Sequence, residues 1–365
     1  MRVLMLANAG HIGGGNRVLL QLGEGLLKRG IVPIVVCPRR GPMADACKRG
    51  GITCQTVECF QPTWRRPLKS IMSVRKWCAN IRELGVDLVH ANDWIGARSI
   101  SAGAKWARVP LLCHIHFPVE SKAAAWCFRG LPAPSMFAFC SHSLRNACGP
   151  DLLRAYPKSV QQVVHNGIAV DEFRPFEQEN DGRFRVGIVA NLVPFKGHGD
   201  FLRMAAELTR RGVDAEYRLI GSDAGDGSYK QELEQLTHEL RLIDRVFFLG
   251  HQEKMPDVIG ELDVVVCSSH GEPFGMCLIE AMACGKPVVA TRLGGPCEIV
   301  EHERTGFLAA PHSPTELADR VQQLYGNDEL RKTLGRAGRQ RAVAEFSQDA
   351  FVERMIRCYE ALVAI

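Results

Sequence analysis

Nowhere in these 365 residues is there an apolar run of the roughly eighteen residues that a membrane-spanning helix requires. No Cys-x-x-Cys pair is matched by a second, which argues against a structural zinc site. The chain has no His-Glu-x-x-His motif, no nucleophile elbow and no P-loop. It also lacks an Asp-x-Asp pair that could hold a divalent metal under a diphosphate, so we expect neither a metal nor a cofactor. No nucleic-acid recognition motif is present and no segment is of low complexity. The opening stretch, "MRVLMLANAG", begins as a strand and lacks the layout of a signal peptide. With the scattered cysteines read as reduced thiols, we expect a cytoplasmic protein.

What is present is less bland. Fourteen cysteines are scattered, many in apolar runs such as "VVCP" and "VVVCSS". There they read as small, reduced core residues. The net charge of +5 hides an asymmetry: residues 1–175 hold 23 Lys and Arg against 10 Asp and Glu, and residues 176–365 hold 22 against 30.

Strand-like and helix-like segments alternate throughout. "RVLMLAN", a glycine-rich loop, "NRVLLQLGEGLLKRG" and "IVPIVVCP" form one βαβ start, and "RVGIVAN", "LVPFKGHGD", "FLRMAAELTRRG" and "VDAEYRLIG" form a second. Such alternation implies parallel sheets. We therefore expect an α/β protein of two doubly wound Rossmann-like domains facing a cleft: residues 1–172, residues 173–346, and a terminal helix over 347–365 packing back on the first domain. The polar stretch 170–184 reads as the linker.

"HGEPFGMCLIEAMACGKPVVAT" (270–291) reads as loop, helix, turn and strand. Glu272 falls in the loop after the apolar run 263–269, and Glu280 falls inside the helix. Gly285 suits the helix C-terminus and Pro287 forbids its continuation. Paired carboxylates serve glycosidases at separations of roughly 5–9.5 Å, but eight residues of helix rise about 12 Å. Binding of sugar hydroxyls is the alternative, because carboxylates are pure acceptors. Two solvated glutamates are the plain one.

Lys196, in "VANLVPFKGH", sits in a loop after one strand and just before a helix, a cradle for phosphate or diphosphate. Gly13 and Gly14, in "GHIGGGNRV", permit close backbone approach to a ligand, although a simple βα turn explains them equally well. "DLVHANDW" and "LLCHIHFP" place His90, Asp93, His114 and His116 at strand ends. We expect His114 and His116 to face apart, so that at most one serves the cleft, with His116 the better candidate. In "QPTWRRPLKSIMSVRKW" (61–77), Arg65, Arg66, Lys69, Arg75 and Lys76 stand beside Trp64 and Trp77. Tryptophan with basic residues suits the boundary of an anionic membrane. A solvated helix with its tryptophans in the core is the plain alternative.

Three segments together, "SSHGEPFGMCLIEAMACGKPVVATRLGGPCEIV", "VANLVPFKGHGDFL" and "VVHNGIAVDEFRP", resemble the signatures of the large retaining glycosyltransferase family four, whose fold is the two-domain GT-B. The resemblance spans almost the whole chain, and its Glu-x7-Glu segment is specific. It implies that Glu272 contacts hydroxyls of the donor sugar. By the same resemblance Phe274, Gly275 and Met276 approach sugar and diphosphate, Glu280 holds the ribose, and Lys196 neutralises the diphosphate. It further implies that Gly13 and Gly14 close over the donor and that His116 lies near the reacting carbon. One departure is Asn191, where the family usually carries arginine. The expected activity is metal-independent transfer of a hexose-type sugar, with retention, from a nucleoside diphosphate to a glycan, lipid-linked or other hydroxyl acceptor. UDP is preferred over GDP, and His90, Asp93, Arg65, Arg66 and Lys69 are candidates for the acceptor or membrane side. A nucleotide-sugar epimerase or hydrolase on the same fold, and a non-catalytic partner subunit, are the rivals.

Overall fold

The computed structural model describes residues 1–7, 9–10, 12–175, 181–223 and 225–364. The chain forms two compact units, Met1–Gly167 with Gln348–Ile365, and Ile168–Ser347. The boundaries therefore fall at 167/168 and 347/348. Within the stretch read as a linker, residues 176–180 lie outside the described residues.

In the first unit the strands are β1 (Arg2–Leu6), β2 (Val32–Cys37), β3 (Thr53–Thr56), β4 (Leu88–Ala91), β5 (Leu111–Ile115), β6 (Met136–Phe139) and β7 (Val160–Val163). Among the described residues they make one sheet in the order β3-β2-β1-β4-β5-β6-β7, and every pairing is parallel. Central strands such as β4, β5 and β6 are buried along their whole length. That is why they read as unbroken apolar runs rather than alternating ones. Strand order reverses between β1 and β4, and in open parallel sheets the crevice outside such a reversal receives ligands.

The terminal helix Gln348–Val363 completes this first unit. A Cβ on Gly25 would meet Val352 Cγ2 at 2.4 Å, so the helix Gly14–Leu27 needs glycine where the two helices touch. Arg29 pairs with Asp349 at 2.9 Å, and Gln348 donates to the Gln21 carbonyl at 2.6 Å. Deeper in, Tyr359 is fully buried and its hydroxyl lies 2.5 Å from Nδ1 of His90 on β4.

The second unit repeats the scheme. Its strands are β8 (Phe184–Val189), β9 (Ala215–Ile220), β10 (Val246–Gly250), β11 (Val264–Cys267), β12 (Val288–Thr291) and β13 (Phe307–Ala309), in the order β10-β9-β8-β11-β12-β13. All pairings are again parallel, and the reversal lies between β8 and β11. Helix His198–Arg210 buries Phe201, Leu202, Met204, Ala205 and Leu208, spaced for one helical face, onto a core that includes Val186, Tyr217 and Val266. No helix among the described residues is long and apolar enough to cross a membrane.

The Tyr359–His90 contact is testable. Replacing Tyr359 by Phe keeps the ring and strands a buried imidazole nitrogen, so the unfolding free energy should drop by about 1–3 kcal/mol in urea titrations at neutral pH. An unchanged midpoint would show that the bond contributes nothing.

Candidate functional site

In the second unit the chemistry collects where the strand order reverses. After β8 the chain runs through Asn191 and Val193 into a 3-10 turn, Pro194–Lys196, and then Gly197. Two bonds tie this loop to the end of β11: the His270 amide donates to the Phe195 carbonyl at 2.7 Å, and the Ser268 hydroxyl to the Gly197 carbonyl at 2.9 Å. Gly197 has φ +74° and a Cβ there would sit 1.9 Å from the Ser268 carbonyl oxygen. Only glycine lets the lysine loop approach so closely.

The consequence is a contact across 76 residues of sequence. Lys196 Nζ donates to Glu272 Oε2 at 2.6 Å. Glu272 is buried, and its Oε2 also accepts from the Ser269 hydroxyl at 3.2 Å. Burial disfavours the charged lysine, but the adjoining Glu272 charge and the hydrogen bond outweigh it and raise the Lys196 pKa. The ammonium is therefore held charged. The Glu272 backbone is fixed from behind, where Gly295 donates to its carbonyl at 2.9 Å and a Cβ on Gly294 would stand 2.3 Å from that oxygen.

The loop then turns through Phe274, packed edge-on against Phe346 at 6.0 Å, and Gly275, at φ +114°, caps the helix Met276–Ala283. Gly275 and Met276 open a helix whose first amides have no partner within it, an arrangement that favours anions. Glu280 lies about one turn on from Met276 and is buried at 4% exposure. The helix ends in Cys284 with Gly285 left-handed at φ +72°, as the sequence pattern expects. Asn191 is exposed, with Oδ1 3.3 Å from the Ser222 hydroxyl. A lysine, two buried carboxylates, and a glycine-lined loop entering a helix suit a ligand with hydroxyls at both ends and a polyanion between.

The second unit also brings together Asp200, His270 and His312, whose ligand atoms lie within 4.8 Å of one another. They come from three elements, so no sequence spacing announces them. His270 Nε2 lies 2.7 Å from Asp200 Oδ2 and Arg203 stands 3.6 Å from its other oxygen, which compensates the carboxylate from within the chain.

In the first unit the strand-order reversal carries a different set. Gly13 is the N-cap of helix Gly14–Leu27, so Gly14 and Gly15 belong to its first turn and not to a free loop. Asn92, just after β4, donates from Nδ2 to the Gly15 carbonyl at 2.9 Å and presents Oδ1 to His116 Nε2 at 2.9 Å. Because the amide nitrogen is committed to Gly15, the oxygen faces the imidazole. His116 Nε2 must then carry the proton, leaving Nδ1 as the basic nitrogen. Asn92 escaped the sequence reading, since an Asn after a strand has no signature of its own.

Two models of known families match the chain: "Glycosyltransferase Family 4" over residues 12–172 and "Glycosyl transferases group 1" over residues 169–341. The chain belongs to the family-four glycosyltransferases. This glycosyltransferase is similar to the D-inositol 3-phosphate glycosyltransferase of Corynebacterium jeikeium, at 26% identity over 99% of this chain and 97% of that one. It is similar also to the N-acetyl-alpha-D-glucosaminyl L-malate synthase of Bacillus anthracis, at 32% identity over 47% of this chain and 44% of that one. Its fold is that of Anabaena HepE, solved in complex with UDP-glucose, with a TM-score of 0.84 and 24% identity over 99% of this chain and 100% of that one. The fold is GT-B, built of two Rossmann-like domains.

Three sequence expectations for the glycosyltransferase need correction. His114 and His116 do not face apart: residues two apart on a strand share a face, and their ring centroids lie 4.0 Å from each other. His90 is wholly buried against Tyr359, with a ring 5.4 Å from that of His114, so it is a core residue and presents nothing to an acceptor. Asp93 caps helix Trp94–Ala107 by accepting from the Gly96 amide at 2.5 Å, and burial raises its pKa. Its carboxylate is occupied with folding.

His90 and His114 are buried and His116 is half-buried, and all three are weak bases. Burial, with the neighbouring His116 adding to it, pushes His90 down to about 3, burial pushes His116 down to about 4, and His114 falls well below the usual range. Folding therefore favours the neutral forms. The unfolded chain takes up protons below about pH 6.5 while the folded chain does not, so stability is full above that pH and declines beneath it. The slope should reach about 1.4 kcal/mol per pH unit for each histidine. Urea midpoints measured at intervals from about pH 7 to about pH 5 test this, and a His114→Leu variant should show a shallower fall. A flat profile would contradict the lowered basicity of the three.

Proposed function

We propose that this glycosyltransferase moves a hexose-type sugar from a nucleoside diphosphate, UDP by preference, to an acceptor hydroxyl with retention of anomeric configuration. The observation that carries the proposal is the Lys196–Glu272 pair, held at 2.6 Å beside the N-terminus that Gly275 opens. The chemistry asks for stabilisation of a departing diphosphate more than for a nucleophile. Lys196 and the amides of Gly275 and Met276 supply it as fixed charge and dipoles. Glu272, partly released from the lysine, accepts hydrogen bonds from the sugar, and Phe274 shapes the loop beneath it. Glu280 accepts from the ribose. His116, with Nδ1 basic and neutral at physiological pH, assists the proton of the attacking hydroxyl, while Gly13 and Gly14 allow backbone contact with the donor. In this scheme the proton passes to the departing phosphate and no step is routed through a metal.

UDP is favoured because HepE was solved with UDP-glucose. The acceptor is proposed to carry a negative charge. The names of the relatives specify inositol 3-phosphate and L-malate, both anionic, and the first 175 residues hold 13 more cations than acids by the counts 23 and 10. The acceptor belongs to glycan or glycolipid synthesis, and the enzyme works in the cytoplasm or at its membrane face. Donor turnover with and without added acceptor separates transfer from hydrolysis or epimerisation.

Two variants divide the roles. Lys196→Ala should lower turnover by about two orders of magnitude or more, since a charge-assisted contact to the leaving group is lost; near-normal turnover removes Lys196 from the mechanism. Glu280→Ala should weaken UDP binding in calorimetry by about tenfold, the loss of hydrogen bonds to a buried carboxylate. An unaltered UDP affinity ends its assignment to the ribose.

A further inference from the structure

Helix Pro67–Glu83 has two apolar faces. Val74, Trp77, Cys78 and Ile81 point inward and are buried, so Trp77 belongs to the core and not to the basic surface. Leu68, Ile71 and Met72, spaced i, i+3 and i+4, form a second stripe on the outside, 78%, 46% and 69% exposed. Trp64, just ahead of the helix, is 84% exposed. Single exposed apolar side chains are ordinary, but four in one short segment, on one helical stripe and its approach, mark a contact surface.

The charges around the stripe select the partner. Residues 61–77 contain five Lys or Arg and no Asp or Glu. Arg65, Arg66, Lys69, Arg75 and Lys76 are all exposed. Arg65 lies over the Trp64 ring at 5.5 Å, and Lys69 meets Glu58 only at 3.7 Å, with both groups largely in water. A second copy of the chain would present the same cations and be repelled. A bilayer rich in anionic lipid answers both features: headgroups meet the cations while the boundary takes up Trp64, Leu68, Ile71 and Met72.

We infer that the N-terminal half of helix Pro67–Glu83, with Trp64 before it, is the surface by which the protein docks on an anionic membrane. It deepens the proposed function by placing the acceptor, or the enzyme's route to it, at a lipid surface. The docking itself needs nothing from the donor chemistry.

The test is co-sedimentation of the full chain with phosphatidylglycerol vesicles and with phosphatidylcholine vesicles, at low and high salt. We expect binding to the first, weakened by salt, and none to the second. Arg65→Ala with Arg66→Ala should weaken it about thirtyfold, the equivalent of about 1 kcal/mol per cation. Leu68→Ser with Met72→Ser should weaken it about tenfold with an unchanged melting temperature, since both side chains stand in water. Negligible or equal binding to the two lipids overturns the inference. So do vesicle affinities that neither variant changes, or a dimer that the Leu68→Ser and Met72→Ser pair dissolves. UDP binding measured alongside keeps the issues apart: its absence with vesicle binding intact faults the donor assignment and leaves the docking surface standing.

Discussion

One ion pair, Lys196 with Glu272, organises the second unit's site. Neither partner is free in water, since the side chains are only 21% and 8% exposed. Bringing two charges out of water costs several kcal/mol each, and their attraction repays this only when geometry is tight and the remaining atoms are satisfied. Here the distance is short and Ser269 serves the same carboxylate oxygen. A pair like this adds little stability over an apolar substitute. Its value is that it keeps a cation charged and aimed at the place where strand order reverses. The pair also explains the glycines around it. Gly197 lets the lysine loop touch the end of β11, Gly294 and Gly295 admit a second loop behind Glu272, and Gly275 turns the chain into its helix. The first three serve close approaches that a side chain would block, and Gly275 a positive φ that side chains rarely adopt.

The first unit solves a different problem with neutral groups. Asn92 joins the turn at Gly15 to His116, and so fixes which imidazole nitrogen is basic. Behind His116 stand His114 and His90, then Tyr359 from the end of the chain. Weak bases held neutral can accept or pass a proton without carrying a fixed positive charge. The two units thus divide labour: fixed charge in one, neutral hydrogen bonding in the other.

Much of this was legible in the sequence because it is written locally. Apolar runs of strand length alternating with helical patterns foretold two parallel sheets, and the Glu-x7-Glu stretch foretold loop, helix, glycine and strand in order. What stayed hidden depends on contacts between distant segments. Lys196 could be read as a phosphate cradle, but its bond to Glu272 bridges 76 positions and follows from β8 lying beside β11. Asn92 has meaning only once β1 and β4 are neighbours. His90 looked like a site residue because strand ends are where ligands bind, and nothing near it in sequence shows that a helix from residues 348–363 covers it. Trp64 and Trp77 looked alike in a basic segment, yet one is exposed and the other buried. Helical spacing could have separated them: Trp77 aligns with Val74, Cys78 and Ile81, whereas Trp64 precedes the helix.

The central claim is that Lys196 waits on Glu272 and turns to the diphosphate when the donor arrives. Calorimetry of UDP, which lacks the sugar that Glu272 would hold, tests this most directly across four proteins: wild type, Glu272→Gln, Lys196→Met, and the double variant. Removing the Glu272 charge frees the lysine, so Glu272→Gln should bind UDP several-fold more tightly than wild type, a change of about 1 kcal/mol. The same substitution in the Lys196→Met background should change nothing, because no lysine remains to be freed. UDP affinity indifferent to Glu272→Gln in the presence of Lys196, or equally changed in its absence, would contradict the account.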